Sequence, residues 1–531
     1  MSRIESRCCY APRPPISIRV AQRRKIPCRQ HHTLTDFDRC YKLETANIIN
    51  HHNPFLEKLA MNDSITNYLS QNKQRFEADL FEWLRMPSIA TDSAYDDQTR
   101  QAAVWLAEKF KNLGLETNLI ETCGQPLVYA QTPPVPSGKT VLVYGHYDVQ
   151  PPDPVELWTS PPFEPTVRDG NVYARGATDD KGQMITHLFG LEAYLAAHNA
   201  DGSDGSLPVQ VKYLIEGEEE SGGAGLRAFL KGEYDKDIGM TVAEKLAADI
   251  VVISDNSQYA PGRPAITYGL KGIIYFELFV YGPNRDLHSG SFGGTVNNPA
   301  NALAQMLTQI KDGEGRIQVP GFYDDVIELA DEERGQFGGL GFSDDQFKEE
   351  LGVEELFGEA GFTTLERRWG RPTFDINGMW SGYQGEGAKT VLPAEAGAKF
   401  SFRLVPAQDP NKVHEALKKM LTEICPAGIR FELKNHHGAP GFVLPLGSPF
   451  MAAASRAIET GFGTAPVYVR SGGSIPVVNQ FKQMLDIDTL LLGWGQDDDN
   501  LHSPNEKFSL ADFHKGIHSS ACLWGEIAKM D

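Results

Sequence analysis

The sequence of 531 residues has no apolar run approaching the ~18 residues that a membrane-spanning helix needs, and no membrane partner is expected. Its most apolar stretch, 272–280, alternates and contains Glu277, which reads as a strand. A disulfide framework is also lacking. Four of the seven cysteines (Cys8, Cys9, Cys28, Cys40) fall in the first 40 residues, and Cys123, Cys425 and Cys522 are far apart. That usage suits a reducing, cytoplasmic compartment. No paired CxxC accompanies Cys28 and His32, so zinc is not read there. Basic excess is absent too: 50 Lys and Arg against 70 Asp and Glu leave a net charge of −20, which excludes phosphate-backbone binding as the main task. There is no GxSxG nucleophile elbow, and at 382–390 a near miss to a phosphate loop is thrown out of register by Ala388. What is present is 41% hydrophobic and 10% aromatic residues, enough for a sizeable core.

Residues 1–60 differ from the rest, with 11 Lys and Arg against 5 Asp and Glu, proline-rich text and no periodic apolar pattern. They read as a leader before Met61, a disordered tail or a targeting segment. Beyond them, Ile65, Leu69, Phe76, Leu80 and Leu84 share a helical face that Pro87 ends. A second helix runs from Val104 to Leu113, with Gly114 as its C-cap. Strands near 115–121, 140–147, 209–215 and 250–253 alternate with helices, one of them carrying Met184, Ile185, Leu188 and Leu191 on a buried face. This pattern predicts a mostly parallel sheet covered by helices on both faces.

Near residue 266 the pattern changes. Ile274, Phe276, Leu278 and Val280 alternate, as in a sheet with one wet face. A helix follows, then a stretch at 312–372 rich in Gly, Asp and Glu that reads as loops with short helices. Strand, helix and strand come next at 399–404, 411–423 and 429–434, and the first pattern returns after 445. The fold class is therefore α/β with an inserted α+β lid domain. The expected division is 1–61 leader or tail, 62–265 and 438–531 catalytic, and 266–437 inserted.

Five polar clusters carry candidate chemistry, four of them at strand ends: 145–148 (His146, Asp148), 175–182 (Asp179), 216–222 (Glu219, Glu220), 254–256 (Asp255) and 500–506 (His502). In open α/β sheets, ligands sit at the carboxyl ends of strands. Singly, each cluster has a plain structural reading: a hydrogen-bonded histidine, a solvated glutamate turn, a helix cap. Together they gather carboxylates at one edge, which is costly unless a cation neutralises them. With His146, Asp179, Glu220, Asp255 and His502 as ligands, two Zn2+ and one hydroxide would bring the three carboxylates to neutrality.

These clusters resemble the M20 family of zinc metallopeptidases, on its dipeptidase branch. The similarity covers about 62–531 and rests on "GHYDVQP", "ARGATDDKG", "EGEEESGG", "SDN", "DLHSG", "GAKTVLP", "FRLVP", "GGSIP" and "LHSPNEK" in family order. It implies two Zn2+ per subunit, with Mn2+ or Co2+ as possible substitutes. His146 and Asp255 would hold one, Glu220 and His502 the other, with Asp179 bridging and a cis peptide following it. Asp148 would orient His146, and Glu219 would be the general base of a metal-assisted hydrolysis of dipeptides. His288 would act from the partner of a homodimer built through the inserted domain. Arg403, Thr390, His437 and Ser474 would bind the substrate carboxylate end, although Arg403 also reads as a solvated strand face and Ser474 as part of a tight turn. His437 is preferred to His436 because Gly438 follows it. A dizinc N-acyl-amino-acid deacylase and a non-catalytic binding protein are the competing readings.

Overall fold

The computed structural model describes residues 54–135, 138–200 and 207–530. Most of the expected leader, with Cys8, Cys9, Cys28, His32 and Cys40, lies outside them. Both sheets and the candidate site belong to a single unit, Ala60–Asp531.

Nine strands form the larger sheet. Glu116–Ile120, Leu127–Gln131, Gln210–Glu216, Thr140–His146, Ile250–Ser254, Thr489–Gly493, Ala265–Leu270 and Phe442–Val443 lie side by side in that order, and Val467–Ser471 also pairs with Ala265–Leu270. The four central strands, beginning at 210, 140, 250 and 489, are parallel. Towards both edges the pairing turns antiparallel, so the sheet is mixed rather than mostly parallel. The reason lies in the connections. Six residues separate the first two strands, enough for a hairpin but too few for the crossover that a parallel pair requires.

The first helix spans Pro54–Leu84 and the second Asp96–Asn112; Gly114 follows the latter with φ +87°. The crossover helix Lys181–Ala200 packs against Leu510–Ile527, which in turn packs against Pro449–Phe462. Met184, Ile185, Phe189, Phe513, Trp524 and the inner strands share one core. Gly145 lets this helix approach the sheet closely. A Cβ there would lie 2.4 Å from Met184 Cγ and 2.7 Å from Asp180 Oδ2.

The smaller sheet is wholly antiparallel, in the order Thr373–Ser381, Glu395–Leu404, Gly272–Tyr281, Arg430–Ala439. Burial alternates along Gly272–Tyr281. The buried face carries Ile274, Phe276, Leu278 and Val280, which share a second core with Phe400, Phe402 and the helices Pro299–Thr308 and Pro410–Ile424. The 312–372 stretch contains three short helices, Asp331–Gly338, Asp344–Leu351 and Thr364–Trp369. Apolar side chains from this stretch, Phe337, Leu340, Leu365 and Trp369, enter the first core rather than the second. No helix among the described residues is long and apolar enough to cross a membrane.

His187, in the crossover helix, is buried with both ring nitrogens engaged, Nε2 to Ser254 Oγ at 2.8 Å and Nδ1 to Ser520 Oγ at 3.0 Å. Burial pushes its pKa down to about 3. The unfolded chain therefore binds a proton at this site from about pH 6.5 downward that the folded chain refuses. Stability from His187 should be complete above about pH 6.5 and fall by up to ~1.4 kcal/mol per pH unit on acidification towards pH ~3. Urea denaturation of His187→Gln at about pH 8 and about pH 5 checks this: the variant starts less stable but loses less on acidification than the parent.

Candidate metal centre

The four central parallel strands end on one edge, and each delivers a candidate residue there. His146 closes its strand, Glu219 and Glu220 follow Gln210–Glu216, Asp255 follows Ile250–Ser254, and His502 lies in the loop after Thr489–Gly493. Asp179 comes from the turn that opens the crossover helix, and its peptide bond to Asp180 is cis.

Asp179 stands between the two imidazoles. Its Oδ1 is 3.2 Å from His146 Nε2 and its Oδ2 is 2.9 Å from His502 Nε2, while Glu220 Oε1 is 3.3 Å from His502 Nε2. Two three-residue groups result, His146–Asp179–Asp255 and Asp179–Glu220–His502, and within each the ligand atoms lie within 4.8 Å of one another. Asp179 belongs to both.

Asp148 is fully buried and serves both neighbours. Its backbone carbonyl is 3.1 Å and its carboxylate 3.4 Å from His146 Nδ1. A proton on Nδ1 satisfies either acceptor and leaves the Nε2 lone pair facing the centre. The carboxylate also accepts from the backbone amides of Glu219 at 3.2 Å and Glu220 at 3.0 Å, which fixes the turn that carries both glutamates. Gln150 donates to Glu220 Oε2 at 2.7 Å.

A further carboxylate holds the Asp179 turn. Buried Glu506 accepts from the amides of Gly176 at 2.9 Å, Thr178 at 2.9 Å and Asp179 at 3.1 Å, and pairs with buried Arg175 at 2.8 Å. Asp499 ties the same turn to the His502 loop through Thr178 Oγ1 at 2.9 Å. Glu506, Arg175 and Gln150 all stand inside the motifs that carry the family resemblance, but nothing local in the sequence gives them a role. Their partners are distant in sequence or, for Gln150, on another strand end.

The electrostatics fit divalent cations. Burial alone would lower the His146 imidazole, but Asp148 and Asp179 outweigh it and hold its pKa well above the ordinary histidine range. Contacts with Asp179 and Glu220 push His502 up to about 10. Burial would raise Asp179, yet the two imidazoles hold it below the usual carboxylate range. Asp255 and Asp180 are pushed well up by burial and by neighbouring carboxylates. The cluster has more negative charge than its side chains can balance. Two of its buried atoms, His146 Nε2 and Glu220 Oε1, complete no hydrogen bond and point at the shared space. Imidazole nitrogens and carboxylate oxygens in this arrangement are a donor set suited to zinc.

Glu219 lines a cavity of about 760 Å3 together with Arg403, His437 and Ser474. Arg403 Nη1 donates to Ser474 Oγ at 3.1 Å, and that hydroxyl donates to the Lys271 carbonyl at 2.6 Å. A bulge between Asn435 and His437 re-aims the histidine pair. His437 stacks on Tyr275 and faces the cavity, whereas His436 meets Glu277 at 3.2 Å. His288 and Thr390 do not line this cavity. Both are exposed, His288 on a short strand that pairs with Val391–Leu392 and Thr390 just before that strand.

The comparisons with known proteins agree with this architecture. The family model for peptidase family M20/M25/M40 matches residues 142–526. The Cys-Gly metallodipeptidase of Schizosaccharomyces pombe is 34% identical over 482 residues, covering 88% of this chain and 98% of its own. The Beta-Ala-His dipeptidase of Homo sapiens is 31% identical over 494 residues, covering 89% and 94%. Among solved structures, an M20 family metallo-carboxypeptidase from Sulfolobus solfataricus superposes with a TM-score of 0.72 at 34% identity, covering 86% of this chain and 99% of that one. The chain belongs to peptidase family M20/M25/M40 and is by class a hydrolase of peptide bonds.

Glu506→Gln tests the turn that holds Asp179. The amide keeps the shape but loses the charge opposite Arg175 and one acceptor. Breaking a buried pair from one side costs ~3–5 kcal/mol. Metal affinity should fall ~10–100-fold, as it does when a group behind a ligand is lost. Urea denaturation and isothermal metal titration give the two readouts.

Proposed function

We propose that this chain is a dinuclear zinc dipeptidase in which His146 and Asp255 hold one ion, Glu220 and His502 the other, and Asp179 bridges. The observation that carries the reading is the position of Asp179, one oxygen towards each imidazole, in both three-residue groups. Two zinc ions held there would supply a water acidified towards pKa ~7 and a Lewis acid for the scissile carbonyl.

The side chains do the rest. Glu219 accepts the proton of the attacking water and hands it to the leaving amine. Burial raises its carboxyl above the ordinary glutamate range, which suits a group that must both take and return a proton. Asp148 keeps His146 in the tautomer that presents Nε2, and its grip on the Glu219 amide holds the base in place. Arg403, with Ser474 and His437 beside it, binds the substrate carboxylate. The exposed positions of His288 and Thr390 suit a role across a subunit interface, so the active form is read as a homodimer built through the antiparallel unit, 266–437. His288 of the partner subunit would then steady the developing oxyanion. No disulfide joins Cys123, Cys425 or Cys522 among the described residues, which supports a cytoplasmic setting.

Dipeptides are favoured over N-acyl amino acids because the full-length relatives at 34% and 31% identity are dipeptidases. The decisive experiment is Glu219→Gln. Metal analysis should find two ions per chain, as in the parent, while kcat on dipeptides falls ~100- to 10,000-fold. Unchanged turnover would refute the base assignment. Faster hydrolysis of N-acyl amino acids than of dipeptides by the parent would favour the deacylase.

A further inference from the structure

His146 is the last residue of its strand, yet Asp148, which orients His146 and grips the Glu219–Glu220 turn, lies beyond the strand end. Past His146 the neighbouring strand supplies one more bond, from the Tyr147 amide to the Glu216 carbonyl at 2.8 Å. From there the chain is held by a residue from another part of the fold. Ser88 Oγ donates to the Tyr147 carbonyl at 2.6 Å, and the Ser88 carbonyl accepts from the Val149 amide at 2.9 Å. These are the peptide groups on either side of Asp148. The second of them carries the Asp148 carbonyl that lies 3.1 Å from His146 Nδ1. A peptide group is planar, so fixing its N–H also fixes the direction of its C=O.

Ser88 can hold because it is held. It is fully buried, just after Pro87 ends the first helix. Its amide donates to the Met86 carbonyl at 2.9 Å and the Ile89 amide donates to the Pro87 carbonyl at 3.0 Å, two tight turns in succession. Fully buried Lys181 grips the same turn, its Nζ donating to the Met86 carbonyl at 2.7 Å and to the Trp83 carbonyl at 3.2 Å. A helix end leaves such carbonyls short of partners. Trp83 is anchored in turn by its indole N–H on the Ala102 carbonyl at 3.1 Å and by stacking on Trp105. Lys181 opens the crossover helix directly after the Asp179–Asp180 pair. One turn between the first two helices therefore braces both approaches to the centre, Asp148 through Ser88 and Asp179 through Lys181. Ser88 itself lines neither cavity beside the centre.

We propose that Ser88 is a positioning residue of the metal centre: its hydroxyl and carbonyl pin the two peptides that flank Asp148, and through Asp148 they set both the direction of His146 and the place of Glu219. The inference rests on the reading of His146 as a ligand and Glu219 as the base. Without the hydroxyl, the buried Tyr147 carbonyl loses its partner and the peptide before Asp148 is free to turn, while the Ser88 carbonyl keeps its hold on Val149. The Asp148 carboxylate then grips the Glu219 and Glu220 amides less firmly, and the imidazole behind the first ion loses part of its support. The cavity that carries Arg403 and Ser474 is untouched by the change.

The test compares the full-length parent, Ser88→Ala and Ser88→Thr, metal-free in zinc titration against a competing chelator and zinc-saturated in dipeptide hydrolysis. Zinc affinity of Ser88→Ala should fall about tenfold. At saturating zinc its kcat should fall about tenfold with KM within about twofold, because the fault lies in the placing of the base and not in substrate binding. Ser88→Thr keeps the hydroxyl and should stay within about threefold of the parent in both readouts. If Ser88→Ala does not fold, Ser88→Cys, a weaker donor, replaces it with losses expected in the same direction. A role limited to holding the fold would lower the urea midpoint of Ser88→Ala and leave zinc affinity and kcat as in the parent; that result would overturn the proposal, as would equal losses in Ser88→Thr and Ser88→Ala. A parent that binds two zinc ions with an affinity indifferent to Ser88 overturns the positioning role alone. A parent that binds no zinc overturns the dinuclear reading with it.

Discussion

Burying several carboxylates at one edge of a sheet creates a debt of positive charge, and the architecture around Asp179 is organised by it. Asp148, Asp179, Asp180 and Asp255 crowd a space in which two imidazoles are the nearest cationic partners. The protein meets part of the demand with backbone amides. Asp148 takes two from the Glu219–Glu220 turn, and Glu506 takes three from the turn leading into Asp179. Amide dipoles and one guanidinium stabilise the supporting carboxylates, so the ones left facing the shared space are those that suit a divalent cation.

The supporting contacts also make the site stiff. Asp148 engages a histidine and a glutamate turn at once, so neither can shift without disturbing the other. The Glu506 carboxylate joins residues more than three hundred positions apart. Donor atoms held by such outer contacts lose little freedom on binding an ion, which is the physical basis of preorganisation. Gly145 contributes by lacking a side chain, since any Cβ would push the crossover helix and Asp180 away from the sheet.

The stretch 272–439 also lines the space beside the site. Its sheet has a separate core, yet its helices at 331–369 pack into the larger core and wall a cavity of about 660 Å3 beside Asp255. Ser474 links Arg403 on the antiparallel sheet to the Lys271 carbonyl at the crossing between sheets. Residues facing the proposed substrate thus come from both sheets and from the chain that joins them.

Much of this was legible in the residues themselves. Apolar runs of four to seven residues that end in His, Glu or Asp mark strands with chemistry at their carboxyl ends, because a buried strand is apolar along its length and changes character where it reaches the edge. Alternation in 272–281 revealed the second sheet by the same logic of faces. Tertiary structure alone decided the antiparallel edges of the larger sheet, the return of Phe337, Leu340, Leu365 and Trp369 to the first core, and the roles of Glu506, Arg175 and Gln150. The physical reason is range: periodicity and strand ends are local properties, whereas the partners of a buried charge depend on which distant segments the strand order brings beside it.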